Sequence, residues 1–300
     1  MQASCILIPW LLQSCFTGVE GTSKITLSKK EISAVSPSGE EIFVNELAPT
    51  VVKDWPMGKA FLIADEKLSL IVENNGNLEL RTGDTIYYDG IKLRTGPDGS
   101  ASGAISFLTK SNAISYPLEK TPDLINKSVT SAELPMVIDL ETVEKFRNKL
   151  IGKKLWTRTT LWYDACLRHK RGRKFASVTV TDVEAGNAYF PLKVSFSDES
   201  GNSGVLLMNT GSSGNESRSF SRLFSLTDPR TNYPNVSESN WNAIQNEELR
   251  EGMTKEECRL SRGNPSDIDR GHDYSNTMEI WYYPNGSYLK ILNGILIEHK

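Results

Sequence analysis

From residue 60 to residue 208 the chain is built of short β-type runs, each closed by a turn cluster, and this rhythm narrows the fold most. Ala60 to Ile63 and Leu68 to Val72 flank the charged turn Asp65-Glu66-Lys67, and Asn74-Asn75-Gly76-Asn77 precedes Leu78-Glu79-Leu80. Thr85 to Tyr88 and Ile91 to Leu93 flank Asp89-Gly90, the composition of a type I′ hairpin turn. Gly96 to Gly99 is a further turn, followed by a strand over Ala104 to Leu108. Five or six strands at this spacing predict a small antiparallel barrel or sandwich.

The rhythm breaks over 119–150. Val137, Leu140, Val143 and Phe146 to Leu150 follow helical spacing opposite Glu141, Glu144 and Lys145, which predicts a linker helix. It resumes with a strand over Leu155 to Tyr163, alternating runs at Val178 to Thr181 and Leu192 to Phe196, and Val205 to Met208 beyond a Ser/Gly turn. Gly58-Lys59-Ala60-Phe61-Leu62 and Gly152-Lys153-Lys154-Leu155-Trp156 open the two stretches alike. Strand count and length point to tandem small antiparallel β-barrel modules of SH3-like kind, over 50–118 and 151–225. The Ser/Gly-rich stretch Thr210 to Arg222 reads as a loop or linker.

The sharpest local signal lies in 237–300. Trp241, Ile244 and Gln245 take helical spacing after a Ser-rich start. Thr254 to Glu257 is a capping box, with Met253 and Cys258 placed as a hydrophobic staple. Gly263 and Pro265 stop that helix. Glu279 to Tyr283, Pro284-Asn285-Gly286, Ser287 to Leu292, Asn293-Gly294 and Ile295 to Ile297 then read as a three-stranded meander. One apolar face of such a sheet packs on the two helices.

These residues resemble the BamE (SmpA/OmlA) lipoprotein domain, a small ααβββ fold similar to the repeats of β-lactamase inhibitory protein. The resemblance covers about the last fifth of the chain. It implies a lipid-anchored periplasmic adaptor. The position before Gly263, usually a leucine in that pattern, is Arg262 here, leaving the packing to Leu260 or to the arginine stem. The expected fold class is therefore mostly β, with a C-terminal α+β domain.

The apolar run Cys5 to Leu12 is too short to cross a hydrocarbon core of about 30 Å. Together with Leu12-Gln13-Ser14-Cys15 it resembles a lipoprotein signal and lipobox. The resemblance implies a signal peptide over 1–14, a diacylated Cys15 and a polar tether over 15–49, with anchoring in the bacterial outer membrane, on its periplasmic side. Cys166 and Cys258 are then left as two separate packed thiols.

Lys+Arg number 34 against 37 Asp+Glu, a net charge of −3, which argues against bulk nucleic-acid binding. The three histidines are scattered, and no zinc-site spacing, nucleophile elbow or P-loop is present. Asp267 to Asp273 reads as a solvated loop rather than a metal site; no cofactor or catalytic residue is expected. The one basic run supplies Arg168, Lys170, Arg171, Arg173 and Lys174 as candidate partner contacts, and the aromatic strand adds Trp281 and Tyr283. The expected function is a non-enzymatic adaptor binding an envelope protein; the alternative is a glycan- or peptidoglycan-binding lipoprotein.

Overall fold

The computed structural model describes residues 39–74, 79–95, 99, 101–118, 120–127, 134–211, 217–273 and 276–300. The expected signal peptide, Cys15 and the tether up to residue 38 lie outside the described residues. The remaining fold is mostly β and every strand pairing is antiparallel.

The tether ends earlier than expected. Gly39–Glu46 is a helix, α1, and Val44 and Leu47 on its inner side belong to a hydrophobic core further along the chain. Its Phe43 ring lies 5.2 Å from Phe220. A polar stretch can therefore end in a docked helix when two apolar residues three apart face one groove.

The first sheet contains β1 (Ala60–Ile63), β2 (Glu73–Asn74), β3 (Thr85–Thr95), β4 (Ala101–Leu108), β5 (Ala113–Pro117) and β6 (Val137–Asp139). A short helix, α2 (Pro122–Lys127), separates β5 from β6. Two expectations are corrected within this unit. Leu68 to Val72 is a 3-10 turn over Glu66–Leu70, because the Asp65 carboxylate accepts the Lys67 amide at 2.9 Å and caps it. Leu68 and Val72 are buried, and Leu70 between them is exposed. Asp89-Gly90 is not a hairpin turn but a bulge inside one strand: Tyr88 pairs with Phe107 and Ile91 with Ile105 of the same neighbour. Gly90 takes φ +91°, and the Asp89 carboxylate accepts from Lys92 and Ser106.

The expected linker is structural. Its helix, α3 (Leu140–Leu150), starts later than the periodicity suggests because Asp139 caps it, accepting the Glu141 and Thr142 amides. Val137 to Asp139 are instead the last strand of the first sheet. Val143, Phe146 and Leu150 of α3 are buried in the core of the second unit. Burial contributes about 1.5–3 kcal/mol for each such side chain. Lys59, 5 % exposed, joins the first unit to this helix through ion pairs with Asp139, at 3.0 Å, and Glu141.

The second sheet contains β7 (Lys154–Thr157), β8 (Leu161–Tyr163), β9 (His169–Arg171), β10 (Ser177–Ala185), β11 (Leu192–Asp198), β12 (Ser203–Met208) and β13 (Phe224–Ser225). Leu155 to Tyr163, expected as one strand, is two: β7 pairs with β10 and β13, whereas β8 pairs with β12 and β9 across the sheet. Within the expected Ser/Gly loop, Phe220–Leu223 forms a short helix, α4, with Phe220 and Leu223 in the core.

The two sheets share one connectivity. Numbered within its own unit and with β9 set aside, each runs 2-5-4-3-1-6, and each places a short helix between its fifth and sixth strands. The entry to each first strand is also the same. Gly58 (φ +79°) donates to Tyr88 O and Lys59 O accepts from Tyr88 N; Gly152 (φ +74°) donates to Val180 O and Lys153 O accepts from Val180 N. The pairing with the following strand shifts register immediately after Tyr88 and after Val180. The matching Gly-Lys openings in the sequence thus mark equivalent places in two copies of one arrangement.

The C-terminal unit holds α5 (Glu238–Gln245), α6 (Lys255–Arg262), β14 (Asp267–Asp273), β15 (Asn276–Tyr282), β16 (Tyr288–Leu292) and β17 (Ile295–His299). The capping box and the staple form as the residues predict, with Met253 and Cys258 fully buried, and Gly263 ends α6 at φ +83°. Leu260, not Arg262, takes the packing place, while Arg259 lies 4.6 Å over the Trp281 ring. The sheet has four strands rather than three. Asp267 to Asp273, expected as a loop, pairs along its whole length with β15. No helix among the described residues is long and apolar enough to cross a membrane.

Candidate functional sites around the C-terminal unit

Donors of the basic run are hydrogen-bonded to other parts of the same chain, although Arg168, Arg171 and Arg173 stay exposed. The run forms β9 and the return from it, and its donors reach the carbonyl ends of both C-terminal helices. Arg171 donates to Asn246 O at 2.7 Å, at the end of α5, and Arg173 donates to Asn242 Oδ1 and Gln245 Oε1. The Lys174 amide donates to Gln245 O, and its Nζ donates at 2.8 Å to Leu260 O in the last turn of α6. Cations at helix C-termini are stabilising because unpaired carbonyls gather there. Arg168 pairs with Asp164 at 2.8 Å, and Lys170 Nζ donates to Ser203 O. The expected partner contacts are thus a docking hairpin between the second sheet and the C-terminal unit.

Of the two aromatic candidates, Trp281 has no exposed surface; its indole N–H donates to Glu279 at 2.8 Å. Tyr283 is half-buried and donates to Gly263 O, and burial pushes its hydroxyl up to about 12. Both point toward the helices. Glu279, not singled out by the sequence, is a buried carboxylate held below its ordinary range by Lys255 at 2.6 Å, with Trp281 and Arg270 adding to it. A polar residue within a β run was the available signal for it.

Alternation turns the next residues outward. Met278, Ile280 and Tyr282 lie opposite the helices, and pairing sets Leu292 and Ile295 in one row with Met278 and sets Tyr288 beside Tyr282. Tyr282 and Ile295 are each 39 % exposed.

A cleft of about 860 Å³ opens where α1, the second sheet and α6 meet. Arg158, Lys174 and Arg222 line it with one carboxylate, Glu40, and with Ser225, Asn232, Phe175 and Tyr233 among others. Glu40 is fully occupied: it accepts from Arg158 through both oxygens at 3.1 Å, from the Ser225 hydroxyl and from the Leu226 amide. Burial lowers the pKa of Lys174, and the charge of Glu247 partly offsets this.

Of the thiols, Cys258 is buried and pushed up to about 12 by desolvation and by the charge of Glu257, whereas Cys166 is exposed; the expectation of two packed thiols holds for one of them. Among the described residues no group of three His, Cys, Asp or Glu side chains is arranged to hold a metal ion. No protein-family model, curated protein or solved structure matches this chain.

Proposed function

We propose that the chain is a non-catalytic lipoprotein of the bacterial envelope, anchored in the outer membrane through Cys15, that recruits a protein partner with its C-terminal unit. In this reading the two repeated units are SH3-like barrels acting as spacers. The common strand order with a helical turn before the last strand supports that assignment. The C-terminal unit is BamE-like with one added edge strand, supported by the capping box, the Gly263 stop and the helices on one sheet face.

The observation that carries the reading is the outer face of the four-stranded sheet. Met278, Ile280, Tyr282, Leu292 and Ile295 make an apolar strip of the kind that marks protein contact, flanked by Asp269 and Lys290 on either side of Ile280. Aromatic and methionine side chains are enriched at such contacts. The surface has replaced Trp281 and Tyr283 as the proposed contact.

A photo-crosslinker placed at Tyr282 in living cells tests it. One discrete crosslinked product is expected, and it is lost when Ile295→Glu is added. An equal product from a crosslinker at exposed Thr179 on β10 overturns the assignment. Intact-mass analysis of the amino-terminal peptide tests the anchor: residues 1–14 still attached to a free Cys15 thiol remove the envelope reading.

A further inference from the structure

Building on the protein contact argued above for the outer face of the C-terminal sheet, we propose that its occupant is a second copy of this chain. The two sheets pack face to face about a two-fold axis that runs along β15 and passes beside Ile280.

The strand registers set three rows across that face. Asp269, Ile280, Lys290 and Glu298 form the central row, one residue on each strand from β14 to β17. Asp267, Tyr282 and Tyr288 form the row on one side of it, and Gly271, Met278, Leu292 and Ile295 the row on the other. The column on β15 is therefore apolar at Met278, Ile280 and Tyr282. The β14 column carries two carboxylates and one bare backbone position, and the β16 column carries a phenol, an ammonium and a leucine. Met278, Ile280 and Leu292 are half-buried, yet they belong to none of the three hydrophobic cores.

In a two-fold contact, if one residue meets a second across the axis, the second meets the first. An axis along β15 lays the β14 column of each copy over the β16 column of the other. Asp269 then meets Lys290 of the partner subunit, Asp267 meets the phenol of the partner's Tyr288, and Leu292 lies over the partner's Gly271. A Cβ added at Gly271 meets open space within one chain, so that position leaves room for the leucine. An axis across the strands would instead set Asp269 on Asp269 and Lys290 on Lys290, and like charges in contact oppose association. The charges thus select one of the two ways of stacking this face on itself. Neither charge is consumed within the chain. The Asp269 carboxylate is exposed and joins no hydrogen bond or ion pair among the described residues. Lys290 reaches Glu298 at 3.6 Å, and an ammonium with three donors can serve a second carboxylate. Stacked sheets keep their strands within about 30° of each other, which displaces the central row least. Four strands about 4.8 Å apart, read over five residues of about 3.4 Å, give a face of roughly 19 by 17 Å. That is well below the roughly 800 Å² per partner of a standard interface, so the dimer is weak and reversible.

Sedimentation equilibrium of the full chain tests the pairing. The mass is expected to rise from one chain toward two between about 1 µM and about 1 mM. Asp269→Lys and Lys290→Asp each weaken association at least tenfold when measured alone. An equimolar mixture of the two variants restores it, because only the mixed pair sets opposite charges across the axis at both places. If either variant unfolds, Gly271→Phe decides: its side chain fills the space meant for Leu292 of the partner subunit and weakens association at least tenfold, with the thermal midpoint of the single chain unchanged. A chain that stays single at about 1 mM, a mixture that associates no better than its components, or a folded Gly271→Phe that still pairs overturns the proposal. The photo-crosslinker at Tyr282 separates this failure from failure of the contact itself. A product of two identical chains supports the second copy. A product with a different protein overturns the second copy and leaves the protein contact standing, and the absence of any discrete product removes both.

Discussion

Replacing Lys59 by Met tests the joint between the first unit and α3. Met keeps most of the stem volume, so the cavity term is small and the change isolates the charge. The Lys59 side chain is 1 % exposed, and its partners differ: the Asp139 side chain is 16 % exposed and that of Glu141 is 55 % exposed. Removing one member of a buried pair costs about 3–5 kcal/mol, because the other charge stays buried and alone. Here the cost falls below that range for two reasons. Glu141 rehydrates in place, and Asp139 keeps the Glu141 and Thr142 amides and the Thr142 hydroxyl at 2.7 Å as donors. The expected loss is about 2–3 kcal/mol.

Urea unfolding followed by tryptophan fluorescence reads it as a midpoint lowered by about 1 M, given slopes of roughly 1–3 kcal/mol per molar. Asp139→Asn in the Lys59→Met background removes the stranded charge while keeping a cap acceptor, and recovers about 1 kcal/mol. A loss below about 0.5 kcal/mol, or a double variant whose effects simply add, refutes the argument that this pair ties the first sheet to α3.

Gly172→Ala sets its new Cβ 2.0 Å from Trp162, which is 2 % exposed and boxed by Phe196 at 4.9 Å; a loss of about 1–3 kcal/mol is expected by thermal unfolding, against nearly none for Gly271→Ala, whose Cβ meets open space. Glu279 has a folded pKa below its ordinary 4.5, so its stabilising contribution is present above pH 4.5 and is lost as the pH falls through the lower folded value. Denaturation at pH 6 and pH 3.5 should therefore show a larger fall for the native chain than for Glu279→Gln. Peptide mapping after brief maleimide treatment of the native chain should label Cys166 and spare Cys258, and equal labelling contradicts the burial of Cys258.

Local signals translated well where they are self-contained. Thr254, Glu257, Met253, Cys258 and Gly263 specify a helix start and stop within eleven residues, and those contacts formed as read. Asp89-Gly90 misled because a positive φ serves a turn or a bulge equally; the shared neighbour β4 decides which. Asp267 to Asp273 carries little apolar content, yet it became a strand because the β15 edge offered unpaired backbone along its whole length.

Composition and patterning by themselves determined a mostly β chain, two stretches opened by Gly-Lys, and a capped helix before a terminal hairpin. Tertiary structure alone decided which way each residue faces and which charges are already satisfied. A period of two leaves the parity of Trp281 and Tyr282 open until helices cover one side. Likewise, nothing in Arg171 and Lys174 announces the helix ends that consume them, because carbonyls at a helix terminus belong to the backbone and leave no mark in the sequence.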